Sequence, residues 1–281
     1  GKKTLAKNVD LLVSFYNSEV DRLIDAKKRN PKVNVEEFFD SDPTKISWSR
    51  SLKRNATNRI KISHVKKEAV GNYRPFCKQY HYPDNFLNET LSKSAALLPD
   101  ASFSNTYVSV SGIGSSKPFS ALMADGVPNY HFVDTGQCFS LYYFEESDGK
   151  YVKKDAITDE TLKKFQSKYT DKNITKEDIF YYVYGILHSP EYRKKYESSL
   201  KKMLPRIPFV KDFIGFSKSG RELAKWHLNY ETVEPFPLTE ETKELNLNPK
   251  KDFRVTQMKF PKKGEKSSVI FNGNIKFIFI L

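Results

Sequence analysis

The densest chemical signal in this sequence is a run of cations with no counter-charge beside it. Between Lys45 and Lys67 stand Lys45, Arg50, Lys53, Arg54, Arg59, Lys61, Lys66 and Lys67, and no Asp or Glu. Ser47, Ser49, Ser51, Asn55, Thr57 and Asn58 lie among them, small hydrogen-bonding groups suited to phosphate oxygens. A helix face that only meets water ordinarily mixes signs to gain i,i+4 pairs, and this window does not. A second cluster runs Lys194, Lys195, Lys201, Lys202, Arg206 and Lys211, diluted by Glu191, Glu197 and Asp212, and a third is Lys259, Lys262, Lys263 and Lys266. Gly112-Ile113-Gly114-Ser115-Ser116-Lys117 reads in two ways. Its glycines could leave backbone N–H groups free to hold a phosphate with Ser115, Ser116 and Lys117, or they could simply make a tight turn.

Signals for catalysis are sparse. The glycine-rich segment has the wrong spacing for a phosphate-binding G-x-x-x-x-G-K-[ST] loop, and neither HExxH nor G-x-S-x-G occurs. His64, His81, His131, His188 and His227 share no metal-ligand spacing, so no metal site is expected. Cys138 stands among β-formers and is expected to be packed. One enzyme reading survives as an alternative. Asp100 with Asp148 and Lys150 loosely matches the PD…(D/E)xK pattern of metal-dependent nucleases, which need two carboxylates on a metal and a lysine near the attacked phosphate. That pattern is permissive, and Asp148 falls at an expected hairpin tip.

The whole chain agrees with the local clusters. Its 281 residues carry 47 Lys and Arg against 34 Asp and Glu, so 47 − 34 gives +13, which suggests a polyanionic partner, nucleic acid ahead of membrane. Aromatic residues make up 14%, too much ring surface for a chain that never packs. No run of 18 apolar residues exists to span a bilayer, and the first residues lack a secretory pattern. Gly1 in place of Met suggests a cut tag or an excised domain. Cys77 and Cys138, far apart and without a CxxC motif, favour a reducing cytoplasm.

The elements that must position these residues can be read from periodicity. Leu5, Val9, Leu12, Tyr16, Val20 and Leu23 recur at threes and fours over 5–29, an amphipathic helix that Pro31 stops. Residues 30–43 read as a linker, 59–65 as a half-buried strand and 73–84 as an irregular Tyr/Pro-rich stretch. Strands are expected over 106–112, 131–133 and 138–144, with Asp148-Gly149 as a hairpin turn. Thr175-Lys176-Glu177-Asp178 resembles a capping box, Ser189-Pro190 opens a helix ending near Leu204, and Ser219-Gly220-Arg221-Glu222 resembles a second box. The tail reads as strands over 253–260, 269–271 and 275–280, the last two joined by an Asn272-Gly273 type I′ turn. The expected class is α+β: an antiparallel β-rich scaffold with a helical insertion and a C-terminal β-hairpin.

Several segments together resemble one known family. They are Tyr73-Arg74-Pro75-Phe76-Cys77-Lys78-Gln79, Gly112 to Leu122, and Gln137-Cys138-Phe139 with Leu141-Tyr142. Asp178 to Arg193, Leu204-Pro205-Arg206-Ile207-Pro208 and Leu228-Asn229-Tyr230-Glu231 join them. They resemble the C-terminal specificity region of Type ISP restriction–modification enzymes, single-chain bacterial proteins with nuclease, helicase-like translocase, adenine methyltransferase and target-recognition domains in that order. The resemblance runs from about Ile46 onward. It implies a cytoplasmic target recognition domain that binds double-stranded DNA and catalyses nothing alone. Its partners would be the upstream methyltransferase and helicase domains. No cofactor is implied for this chain, whereas S-adenosylmethionine, ATP and Mg would serve the full-length enzyme. The family continues past the final hairpin, so the end at Leu281 suggests a truncation, natural or introduced.

Under that reading, residues 1–45 are a helix and connector from the methyltransferase side and 46–157 the β-rich part of the recognition domain. Residues 158–232 are then its helical part and 233–281 its C-terminal strands. Phosphate contacts are expected from Arg50, Lys53, Arg54, Arg59, Lys61, Ser115, Ser116 and Lys117. Base reading is expected from Gln257, Lys259, Lys262, Lys263, Asn272 and Asn274, with Asn or Gln on adenine and Lys on guanine. The alternative in a different class is a non-catalytic docking module for the methyltransferase and translocase.

Overall fold

The computed structural model describes residues 1–65, 67–89, 94–99, 102–243, 246–255 and 258–279. They form two compact units, Gly1–Tyr230 and Glu231–Leu281, with mixed helices and mostly antiparallel strands, an α+β arrangement.

The first unit opens with α1 (Lys2–Arg29), whose Tyr16, Val20 and Leu23 are buried at the spacing the periodicity predicts. They pack with Phe39, Ile46, Leu52, Ala56 and Ile62 into one core. The expected linker contains the single turn α2 (Val35–Phe38), and the basic window contains a helix the periodicity does not reveal, α3 (Arg50–Thr57). Ser49 caps α3 by accepting the Leu52 N–H at 3.1 Å. The strand expected over 59–65 does not form. Tyr16 donates its hydroxyl to Ile60 O (2.9 Å), and Asn17 exchanges two hydrogen bonds with Ile62, each 2.9 Å. Side chains of α1 thus satisfy the backbone groups that a neighbouring strand would otherwise pair.

β1 (Ala69–Arg74) and β2 (Cys77–His81) form a hairpin where the sequence suggests an irregular stretch. Phe76 turns it in the left-handed region at φ 55. After α4 (Ser94–Leu97) come β3 (Tyr107–Val110), β4 (Ala121–Ala124), β5 (Val127–Pro128) and β6 (Gln137–Ser140). β3 is central between β4 and β6, and β5 adds in parallel to β1. All four residues of β3 are buried, because both faces of the sheet are covered. Residues 131–133 make turns and no strand, since Asp134 (φ 59) and Thr135 (φ 46) bend the chain there. β7 (Tyr142–Ser147) and β8 (Lys150–Asp155) form the expected hairpin, with Asp148 (φ 52) and Gly149 (φ 71) supplying the positive φ pair of a type I′ turn.

Five helices follow. α5 (Asp159–Tyr169) leads to α6 (Lys176–His188), which opens with the expected box: Thr175 Oγ1 accepts the Asp178 N–H and Asp178 Oδ2 accepts the Thr175 N–H. Ser189 and Pro190 open α7 (Pro190–Lys195) as expected, but the helix breaks at Tyr196 before the short α8 (Glu197–Leu200). α9 (Phe213–Leu228) starts at Asp212, whose carboxylate accepts the Gly215 N–H at 2.8 Å. The second capping box is therefore wrong: Ser219 and Gly220 lie inside the helix.

Gly220 is inside for a packing reason. α6 and α9 cross backbone on backbone, so a Cβ at Gly220 would stand 2.0 Å from Tyr181 O, and one at Gly185 would stand 2.3 Å from Phe216 O. Ser217 Oγ donates to Asp178 O at 2.9 Å, and Arg221 holds Glu177 (2.8 Å) and Asp178 (3.0 Å) across the pair. Burial works against the Asp178 carboxylate, but its bonds to Thr175 and Arg221 outweigh that and keep its pKa low. The helices and the β4-β3-β6 sheet share one core that includes Val108, Met123, Phe180, Tyr184 and Phe213. Tyr184 joins the layers by accepting the Met123 N–H at 2.9 Å and bonding His227 Nδ1. The His188 ring packs 4.7 Å from the Tyr184 ring. Burial, aided by Arg193 and His227, pulls His188 down from 6.5 to about 4, and burial also lowers His227.

The second unit contains β9 (Leu238–Thr242), α10 (Pro249–Asp252), β10 (Ser268–Ile270) and β11 (Ile275–Phe279), in the antiparallel order β10-β11-β9. The final hairpin is found as expected. Within 253–260 the described residues give one bridge, Lys259 to Ile270, and no strand. The hairpin turn is not type I′, because Gly273 does not take a positive φ. Asn272 closes it instead, accepting the Asn274 (2.8 Å) and Ile275 (2.9 Å) N–H groups on one oxygen.

Two outcomes test this packing. Gly→Ala inside a helix ordinarily gains about 1 kcal/mol. Gly220→Ala should instead cost about 3 kcal/mol by urea unfolding, because the methyl meets backbone, whereas Gly273→Ala should stay within about 0.5 kcal/mol. For the histidines, the folded chain keeps His188 neutral while the unfolded chain takes up a proton below pH 6.5. Stability is then fully present above about 6.5 and is lost as pH falls toward 4. Allowing for solvent screening of a partly exposed ring, the loss for this group is on the order of 2 kcal/mol. Melting temperatures measured between pH 8 and 4.5 should show that fall, and His188→Gln should flatten it.

Candidate nucleic-acid interface

The basic window is acid-free along the chain but not in space. Lys45 pairs with Asp40 at 2.6 Å, Lys53 with Glu36 at 2.5 Å, Lys61 with Asp21 at 2.7 Å, and Arg50 approaches Glu89 at 3.5 Å. The carboxylates come from α1, α2 and the segments after α2 and β2. Such exposed pairs are worth about 0–1 kcal/mol each, so a phosphate can replace the carboxylate, but they offset charge that the sequence seemed to leave bare. Arg54 on α3 and Arg59, just past it in the left-handed region at φ 62, are exposed and make no ion pair among the described residues. Lys66 lies outside the described residues.

The glycine-rich segment connects β3 to β4. Its backbone donors are largely used: Gly112 N–H bonds Asp134 O, Gly114 N–H bonds Lys201 O, Ser115 N–H bonds Gly112 O, and Lys117 N–H bonds Ser115 Oγ. The Ser115 hydroxyl donates to the Asp134 carboxylate at 2.5 Å. The tight-turn reading therefore describes this backbone, and a preformed nest of free N–H groups does not. Ser116 and Lys117 remain exposed. What the turn does is meet the second basic cluster. Ser115 to Phe119, with Arg193, Lys194, Glu197, Leu200 and Lys201 of α7, α8 and the residue after, line a groove of about 690 Å³.

The base-reading candidates belong to the second unit. Lys259, Lys262 and Lys263 are exposed, the last two in a turn completed by Gly264 at φ 87. Asn274 is half-buried, its carbonyl accepting the Lys243 N–H. Asn272 is a correction: it is buried, and its amide donates to Asp252 O (2.6 Å) and Arg254 O (3.2 Å), leaving nothing for a base edge. Gln257 lies outside the described residues. Arg74 stacks on Tyr73, with 4.2 Å from the guanidinium carbon to the ring centre, and holds Asn129 Oδ1 at 3.1 Å, so it ties the end of β1 to the segment after β5.

Among the described residues no three His, Cys, Asp or Glu side chains converge as metal ligands. Asp148, the nuclease candidate, sits exposed at the β7–β8 tip, and Asp100 lies outside the described residues. No described helix is long and apolar enough to cross a membrane. Sequence reasoning missed Arg193, which stood one residue before the second cluster in the helix that Ser189-Pro190 opens.

Comparison with known proteins adds the family. A family model described as the Type ISP C-terminal specificity domain matches residues 1–280. No curated protein matches the chain. A nuclease-deletion mutant of the Type ISP restriction–modification enzyme LlaGI, solved in complex with a DNA substrate mimic, is 34% identical, with a TM-score of 0.78, covering 99% of this chain and 24% of that one. A DrdV–DNA complex is 28% identical with a TM-score of 0.83, covering 100% of this chain and 27% of that one. The ATP-dependent Type ISP enzyme LlaBIII bound to DNA is 30% identical with a TM-score of 0.80, covering 100% of this chain and 18% of that one. The chain thus spans between 18% and 27% of the length of these structures. A match to the specificity model from its first residue to residue 280 makes this chain a member of the Type ISP C-terminal specificity domain family.

Proposed function

We propose that this chain binds duplex DNA and selects its target sequence, as the recognition part of a cytoplasmic bacterial restriction–modification enzyme. The methyltransferase, helicase-like and nuclease domains of the same polypeptide lie upstream in this reading. The observation that carries it is the 34% identity over 99% of the chain to LlaGI, solved with a DNA substrate mimic. The +13 charge supports it, since an excess of cations raises the local concentration of a polyanion and speeds encounter.

Phosphate contacts set register and base-edge contacts select sequence. Arg54 and Arg59 are the strongest phosphate candidates of the N-terminal window, because neither is compensated by an ion pair among the described residues. Lys53 and Lys61 each carry a carboxylate partner, and Arg50 is close to one. Lys259, Lys262, Lys263 and Asn274 stay as base readers, with Gln257, and Asn272 becomes the clamp of the β10–β11 turn that carries Asn274.

A binding selection on random duplexes should enrich one sequence; equal binding to all duplexes at moderate salt would exclude target selection. Arg54→Ala should weaken binding about equally on every sequence and flatten the slope of log affinity against log salt by about one. Lys61→Ala should flatten it less, because Asp21 already offsets that charge. Lys263→Ala should cost about 1–3 kcal/mol at one base position and little elsewhere.

A further inference from the structure

The groove between the β3–β4 turn and α7–α8 contains a cation whose charge is not answered. Arg193 is half-buried on α7. Its Nε donates to Leu187 O at 2.6 Å and its Nη2 to His188 Nδ1 at 3.3 Å, both at the end of α6. Its Nη1 makes no hydrogen bond among the described residues, and no described carboxylate lies within ion-pair distance. The Phe119 ring of the groove lies 5.7 Å from the guanidinium carbon, but taking a charge part-way out of water without an opposite charge is costly, and a bound anion would supply it. Burial indeed pushes this guanidinium below its ordinary pKa.

The surroundings fit an anion. Lys117 and Lys194, both exposed, line the groove with no ion pair among the described residues. Lys201 lines it paired with Glu197 at 3.0 Å, which leaves the lining with four cations against one carboxylate. Asp134 accepts the Ser115 hydroxyl, and neither it nor Glu191, exposed on α7, is part of the lining. Arg193 is also held in place by two bonds, so its planar fork is pre-organised. That geometry suits the paired oxygens of a phosphate better than a freely rotating lysine does.

We propose that this groove seats a phosphate of the DNA backbone, with Arg193 as its anchor and Lys117 and Lys194 as flanking donors. The inference rests on the DNA-binding reading for the source of the phosphate, while the site itself takes phosphate oxyanions as a class. It adds to the N-terminal window a second place where register is set, built from residues far apart in sequence.

The test uses the intact chain with two probes, a 30-base-pair duplex and inorganic pyrophosphate. Because Arg193 also ties α7 to α6, Arg193→Gln can disturb folding, so the decisive variant is Lys117→Ala with Lys194→Ala, both at exposed positions. Against the duplex it should flatten the salt slope by about two, at about 0.9 for each phosphate that is no longer neutralised. Lys168→Ala on α5 should leave the slope unchanged. The Arg193 Nε–Hε resonance should shift on adding duplex to the wild type. If the wild type binds duplex and the double variant keeps its affinity and slope, the groove is overturned while DNA binding stands. If no duplex binds but pyrophosphate shifts the Arg193 resonance and the double variant abolishes the shift, the DNA reading fails and the groove stands as a site for free phosphates. If neither probe acts on Arg193, the proposal is wrong.

Discussion

The first unit depends on the approach of α6 to α9 at Gly185 and Gly220. With no side chain at either point, the helices meet backbone to backbone, and each glycine stands where a methyl group would overlap a carbonyl of the partner helix. That close approach sets where everything attached to α6 must lie. At its N-terminal end, Asp178 is drawn to Arg221 of α9, and in its middle Tyr184 reaches both the Met123 N–H of β4 and His227 of α9. At its C-terminal end, Leu187 O and His188 receive Arg193. A close contact between two glycines thus helps to determine where the half-buried guanidinium of Arg193 stands.

Charge itself is arranged in two ways in this molecule. In the N-terminal window Lys45 and Lys61 are exposed and Lys53 is half-buried, each loosely matched by a carboxylate from another element, and surface pairs of this kind contribute little to stability and exchange readily for another anion. At the α7–α8 groove one cation is half-buried and held by two hydrogen bonds, with the exposed Lys117 and Lys194 beside it. The first arrangement favours non-specific attraction; the second favours a defined geometry. The second unit shows the open kind at Lys262 and Lys263, exposed in the turn that precedes β10, while Asn272 is spent within the fold, closing the β10–β11 turn.

Much of the local structure was legible because short-range physics decides it. The spacing of Tyr16, Val20 and Leu23, the Thr175–Asp178 box, the Ser189-Pro190 start and the Asp148-Gly149 turn each depend on atoms within a few residues. Several readings failed, some of them where distant atoms intervene. Residues 59–65 carry strand-like alternation, yet Tyr16 and Asn17 take their backbone groups. Ser219-Gly220 has the look of a helix start because glycine is poor inside helices, yet the crossing with α6 requires it there. Asn272-Gly273 has turn chemistry, but the asparagine is spent on Asp252 and Arg254. β9 went unseen because its exposed Leu-Thr-Glu-Glu-Thr sequence offers no apolar alternation.

The sequence by itself determined the fold class of the molecule and its excess of positive charge. Amphipathic periods, caps and net charge are properties of composition and spacing, and the family is readable in its motifs. Only the tertiary structure decided which cations are free. Lys45, Lys53 and Lys61 look bare along the chain because their carboxylates are supplied from other segments, and Arg193 looks ordinary because the emptiness around it is a property of packing. An ion pair is set by distance in space, and sequence distance says nothing about it until the helices have met.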